Sequence, residues 1–66
     1  MYIVVELQKQ KDGAVSNIVT SYETKEAAES KYHAVLAAAA VSEIPVHSAI
    51  LVSEEAFPVR YECYKH

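Results

Sequence analysis

The strongest constraint on this chain is one uninterrupted helix-forming segment in its middle. Thr24 stands where a helix N-cap is expected, and helix-favouring residues follow without glycine or proline to about Val41. Two β-type segments precede this helix and two follow it. The order predicts a ββαββ domain of the α+β class, in which the helix crosses between two pairs of strands.

The strands are predicted from alternating side chains and from turn residues. The first covers residues 2–8, and Asp12-Gly13 is a hairpin signal that leads into the second, from about 14 to 22. Pro45 prevents the helix from continuing, so a third strand is predicted over residues 46–53. Pro58 opens the fourth strand and predicts an edge position for it, because proline cannot donate to a sheet ladder.

Chain handedness restricts how these strands pair. A right-handed crossover through the helix makes the second and third strands parallel in direction, so the first strand runs antiparallel to the third. We therefore predict one four-stranded antiparallel sheet in the order 2-1-3-4, with the helix packed on one face. The order 2-1-4-3 is the alternative, and Pro58 disfavours it.

The size of the chain predicts one domain over residues 1–66 that associates with itself. A chain of 66 residues that is 52% hydrophobic is predicted to form a single domain. On folding, a domain of this size buries only about 60% of the surface that its extended chain exposes. Cys63 is the single cysteine and excludes an intrachain disulfide. The three histidines and this cysteine match no metal-ligand spacing, so neither metal nor cofactor is expected. Oligomerisation remains as the supplement to the core.

One or both of two apolar surfaces are predicted to be buried in a homo-oligomer, with a two-fold dimer as the favoured unit. One is an alanine-rich flank of the helix, beside the stripe that packs on the sheet. The other is the sheet face left uncovered if the face of Ile50 meets the helix. The predicted interface residues are Tyr2, Val4, Val19, Ala34, Ala38 and Leu51.

Several classes of function are disfavoured by charge and composition. A net charge of −3 with scattered basic residues argues against nucleic-acid binding, which needs a basic face. No apolar run of about 18 residues and no basic leader occurs, so neither a membrane span nor a secretory signal is predicted. We expect a complete, small cytoplasmic protein with a reduced thiol.

No constellation of residues predicts catalysis. Cys63 has no orienting partners for nucleophilic chemistry and is interpreted as a small buried residue on the inner face of the fourth strand. His33 lies four residues after Glu29 and predicts a surface pair, while His47 is isolated. Gly13 is the only glycine, so the chain has no phosphate-binding loop. The protein is predicted not to be an enzyme.

A ligand site is predicted around the one arginine. Arg60 offers a planar fork for carboxylate or phosphate, and Tyr64 shares its face of the fourth strand. Lys31 is a cation inside an apolar arc of the helix. Arg60, Tyr64 and Lys31 together are candidates for binding a small anionic molecule at a subunit boundary, although packing and ion pairing also explain them.

Several segments carry a resemblance that covers almost the whole chain. They are Tyr2 to Gln8, Gly13 with Asn17-Ile18-Val19, Ala28 to His33 with Val35 to Ala39, Pro45-Val46-His47, and Glu62-Cys63-Tyr64. Together they resemble small proteins from phages and prophages of Firmicutes, a group without a settled activity or a catalytic motif. The resemblance implies a phage-encoded accessory protein, of the kind that blocks host defence or binds a host component.

The favoured prediction is a non-enzymatic, homo-oligomeric binding module. It would act by stoichiometric binding of a host protein or by sequestering a small anionic, nucleotide-like ligand. The alternative is a structural or assembly protein of the virion that binds no ligand.

Overall fold

The computed structural model describes all 66 residues and has the predicted element order. Its elements are β1 (Tyr2–Lys9), β2 (Val15–Tyr22), α1 (Lys25–Ala40), β3 (Val46–Ser53) and β4 (Pro58–Lys65). Thr24 caps the helix as predicted, because its hydroxyl accepts a hydrogen bond of 3.2 Å from the backbone N–H of Ala27.

The four strands form one antiparallel sheet in the order β2-β1-β3-β4, which confirms the predicted order and overturns the alternative 2-1-4-3. β1 and β3 are the central pair, and β2 and β4 are the edges. A bulge between Leu51 and Val52 shifts the β3–β4 register. Val59 consequently packs against the core and not on the face of Tyr61 and Cys63.

Both hairpins turn through a residue with left-handed backbone geometry. Gly13 has a φ of 90° in the β1–β2 turn, where glycine carries no steric penalty. Ala56 has a φ of 63° in the β3–β4 turn, at the place where the sequence lacks the glycine that this geometry favours. Of these two positions, only Ala56 therefore carries backbone strain.

The core lies between α1 and one face of the sheet. The helix contributes the predicted stripe, with Ala28, Tyr32, Val35 and Ala39 buried and Leu36 partly buried. The sheet contributes Val4, Ala49 and Leu51. The condition that the face of Ile50 meets the helix, under which Tyr2, Val4 and Leu51 lie on the uncovered face, therefore does not hold. Ile50 points to the other side, because successive side chains alternate along a strand.

No helix of the protein has the length and apolar character that crossing a membrane requires.

Candidate binding surface

The face of the sheet opposite the helix, called the open face below, has no covering element. Its residues alternate with the core positions along each strand. The four-strand register aligns Val19, Val5, Ile50 and Tyr61 in one row that crosses the whole sheet. Tyr61 is 73% exposed and Val19 is 61% exposed at the two ends of this row. The remaining apolar side chains of the open face are Ile3, Leu7, Val15, Val46 and Val52.

A shallow groove of about 570 Å³ runs across the open face beside this row. It is lined by Leu7, Ser48, Ala49, Ile50, Tyr61, Glu62 and Cys63. The lining is mainly apolar, and Glu62 is its only charged residue. Cys63 is exposed here, so its prediction as a buried residue of the inner face is wrong. Cys63 lies opposite Ser48, which is on the same side of the sheet as Ile50. That side faces away from the helix, so Cys63 is exposed with it.

The structure separates the predicted interface residues into two groups. Val4 and Leu51 are fully buried beneath the helix, and Tyr2 packs against the same core, so these three do not form the exposed surface that the sequence predicts. Val19 lies on the open face, and Ala34 and Ala38 are exposed on the helix. A role in association stays a prediction for these last three residues.

The predicted anion-binding residues lie on the helix side of the sheet and do not line a common cavity. The Nε atom of Arg60 donates a hydrogen bond of 3.1 Å to Oε1 of Glu29, whose carboxylate also lies 4.0 Å from Nζ of Lys25. Tyr64 stacks on His66 with ring centroids 6.4 Å apart. Lys31 is partly buried on the helix. Neither of the two surface cavities is lined by Arg60, Tyr64 or Lys31.

The guanidinium of Arg60 is bound by a carboxylate of the helix, which the sequence does not indicate. Glu29 binds Arg60 and not His33, which instead packs edge-on against Tyr32. Burial and the negative charge of Glu62 raise the pKa of Tyr32, and the charge of Arg60 opposes this rise. Glu29 thus occupies one donor of the Arg60 guanidinium, which weakens the attraction of Arg60 for an anionic ligand.

A buried pair of polar side chains, missed by the sequence analysis, joins the two central strands. His47 on β3 is 5% exposed, and its Nε2 atom lies 2.6 Å from Oε2 of Glu6 on β1. Gln8 donates a further hydrogen bond of 3.0 Å to the same carboxylate oxygen. The Nδ1 atom of His47 is buried without a hydrogen-bond partner. The two residues are 41 positions apart in sequence, so no local pattern indicates this contact.

The environment of Glu6 favours its charged form. Burial by itself raises the pKa of this carboxyl, but the hydrogen bonds from His47 and Gln8 and the charges of His47 and Lys31 outweigh it. The net result is a pKa below the ordinary value. The positive charge of Lys31, a residue predicted to bind a ligand, therefore helps to lower the pKa of Glu6.

No group of three or more His, Cys, Asp or Glu side chains is arranged to hold a metal ion. Comparisons with models of protein families, with curated proteins and with solved structures give no match. The resemblance to phage proteins and the accessory role that it implies therefore stay predictions.

Proposed function

We propose that the protein is a non-enzymatic binding module that works as a homo-oligomer, with the open face buried against a second copy. The observation that carries the proposal is the apolar row of Val19, Val5, Ile50 and Tyr61 across an uncovered sheet. Exposed apolar patches of this extent on small soluble domains mark interaction sites. Face-to-face packing of two sheets is a common way to cover such a surface.

The distribution of charge supports a second copy as the occupant. Lys9 and Lys65 are the only charged residues at open-face positions, and both belong to the row at one end of the sheet. The central row from Val19 to Tyr61 is uncharged, so an identical row meets it without burying an unpaired charge. A tyrosine side chain from the second copy is the kind of group that the groove beside Tyr61 accommodates.

Such a dimer leaves the helix and the polar side of β4 free for an external partner. Arg60 is the cation on that surface, and Glu29 and Glu62 lie near it. This mixed charge supports stoichiometric binding of a host protein over sequestration of an anion, because protein surfaces present both signs of charge.

Multi-angle light scattering at micromolar concentration tests the oligomer. We expect the wild type to have a mass of at least twice the 7.3 kDa of one chain. Tyr61→Glu places a charge on the open face and should halve the mass. Phe57→Glu is the matched control, because Phe57 is an aromatic residue of the β3–β4 turn with a similar exposure of 68%. A wild-type mass of 7.3 kDa would refute the proposal.

Cys63 provides a second readout of the same contact without a substitution. Because its thiol lies on the open face, alkylation of Cys63 should slow as the wild-type concentration rises. In Tyr61→Glu the alkylation rate should stay constant over the same range. A concentration-independent rate in the wild type would contradict burial of the open face.

A thermal-shift screen against nucleotides separates the two modes of external binding. For a protein-binding module we expect no change in melting temperature, because no ligand stabilises the folded state. A rise that disappears in Arg60→Ala would instead identify sequestration of an anionic ligand as the function.

A further inference from the structure

The two edges of the sheet differ in how they oppose pairing with another strand. β4 begins with Pro58, faces a bulge at Leu51/Val52 and carries Arg60, Glu62 and Lys65. Proline, bulges and charged side chains are the features by which natural edge strands avoid added partners. β4 is therefore a protected edge.

β2 has none of these features. Its eight residues, VSNIVTSY, include no proline and no charged side chain, and all of them pair with β1 in an unbroken register from Val15 to Tyr22. The strand is about 27 Å long at the usual rise per residue. Its outer side consequently presents a straight row of backbone donors and acceptors that lack a partner within the chain.

We propose that this edge pairs antiparallel with β2 of a second copy across a two-fold axis, which joins the two sheets into one of eight strands. Antiparallel pairing places opposite residues on the same sheet face, so one residue of β2 lies opposite the same residue of the second copy, with the axis midway between them. Centred on Ile18 or on Val19, the pairing keeps both open faces on one side and both helices on the other.

The composition of β2 favours its own copy as the occupant of this edge. Self-pairing across a two-fold axis sets a strand against itself, and like charges in opposite positions are destabilising. β2 brings no charge to such a contact. Pairing through β2 is independent of the open-face dimer, because it uses the backbone edge and leaves the row from Val5 to Tyr61 uncovered.

Light scattering on five proteins tests this edge contact separately from the open-face contact. Ile18→Lys with Thr20→Lys opposes like charges in either register. Position 18 lies opposite itself when the pairing is centred on Ile18, and opposite position 20 when it is centred on Val19. Ala37→Lys with Ala40→Lys adds the same charge on exposed helix positions and is the matched control.

With both contacts present, the wild type should have four times the 7.3 kDa chain mass. The β2 variant and Tyr61→Glu should each have half of that mass, their combination should be a monomer, and the control should match the wild type. A β2 variant with the wild-type mass would overturn the edge contact, as would a monomeric Tyr61→Glu. If Tyr61→Glu alone leaves the mass unchanged, the open-face proposal fails and the edge contact does not.

Amide hydrogen exchange keeps the test valid if two lysines prevent β2 from folding. In Tyr61→Glu, which has an unaltered β2, exchange in residues 15–22 should slow as protein concentration rises from low to high micromolar. Exchange in the β4 edge should not change. Equal, concentration-independent exchange in both edges would overturn the proposal.

Discussion

The two faces of the sheet are both rich in apolar side chains, yet only one of them forms the core. On the covered face, Val4 and Leu51 are fully buried beneath the helix, and Glu6 and His47 form a polar pair beside them. On the open face, Ile50 and Tyr61 belong to an apolar row with no polar pair in it. The core face therefore contains polar groups, and the more uniformly apolar face is the uncovered one.

This difference shows that apolar content alone does not determine which face a helix covers. The helix presents Ala28 and Tyr32 toward the sheet, and the small residue Ala49 lies among the sheet positions that pack against them. Ile50 and Val52 are larger and β-branched, and they alternate with these positions. A close fit to the helix, and not the total of apolar surface, distinguishes the two faces.

The largest effect should come from truncating neighbouring residues on the two faces. Leu51→Ala removes a fully buried side chain and should lower the free energy of unfolding by about 2–5 kcal/mol. Ile50→Ala should cost less than about 2 kcal/mol in a single chain, because Ile50 is only partly buried. Urea denaturation in the background that combines Tyr61→Glu with Ile18→Lys and Thr20→Lys measures both losses without self-association. Equal losses of unfolding free energy in the two variants would contradict the assignment of Leu51 to the core and Ile50 to the open face.

A smaller effect is expected from breaking the polar pair of the covered face. Glu6→Leu or His47→Leu leaves the other group buried without its partner and should cost about 1–3 kcal/mol. The double variant replaces both groups by apolar ones and should be at least as stable as either single variant. Denaturation of the three variants measures this coupling. Additive losses would show that the two side chains act independently.

The smallest effect concerns acid pH and the charge of Glu6. Its pKa is lowered in the folded protein, so its contribution to stability is complete above the unfolded value of 4.5 and is lost as pH falls through the folded value. The stability gap between wild type and Glu6→Gln should therefore narrow on acidification. Melting temperatures between pH 6 and pH 3 measure this gap.

Glu54 does not obscure this comparison. A hydrogen bond from the N-terminal ammonium of Met1 lowers the pKa of the Glu54 carboxyl, but both proteins share that contact. Glu55→Gln, an exposed substitution in the same turn, serves as the control. A gap between wild type and Glu6→Gln that is constant over the whole range would show that the charge of Glu6 contributes nothing.

The element order and the sheet order follow from local signals. The Thr24 cap, the Asp12-Gly13 turn and Pro58 each act within a few residues, and the handedness of the crossover supplies the rest. These signals suffice for an antiparallel sheet in the order 2-1-3-4.

Local signals do not determine which face of the sheet the helix covers, nor which polar side chains contact each other. Residues of both parities are apolar in β1 and β3, so alternation does not identify the inner face, and Cys63 was misplaced with the rest of its face. The contact between Glu6 and His47 arises only when the two central strands pair. The binding of Arg60 by Glu29 likewise depends on the packing of the helix over β4.

The position of β1 beside β3 also governs how the chain folds. Each hairpin forms between neighbouring segments, but the central pair joins Tyr2 to Ser53 and Lys9 to Val46 across the intervening hairpin and helix. Closing such a long loop costs conformational entropy before the contacts between β1 and β3 can compensate for it. Folding is therefore slower than for a fold with only local contacts. During synthesis, the inner edge of β1 stays unpaired until the residues of β3 leave the ribosome. The interval before that pairing is therefore when the nascent chain is most exposed to the wrong strand.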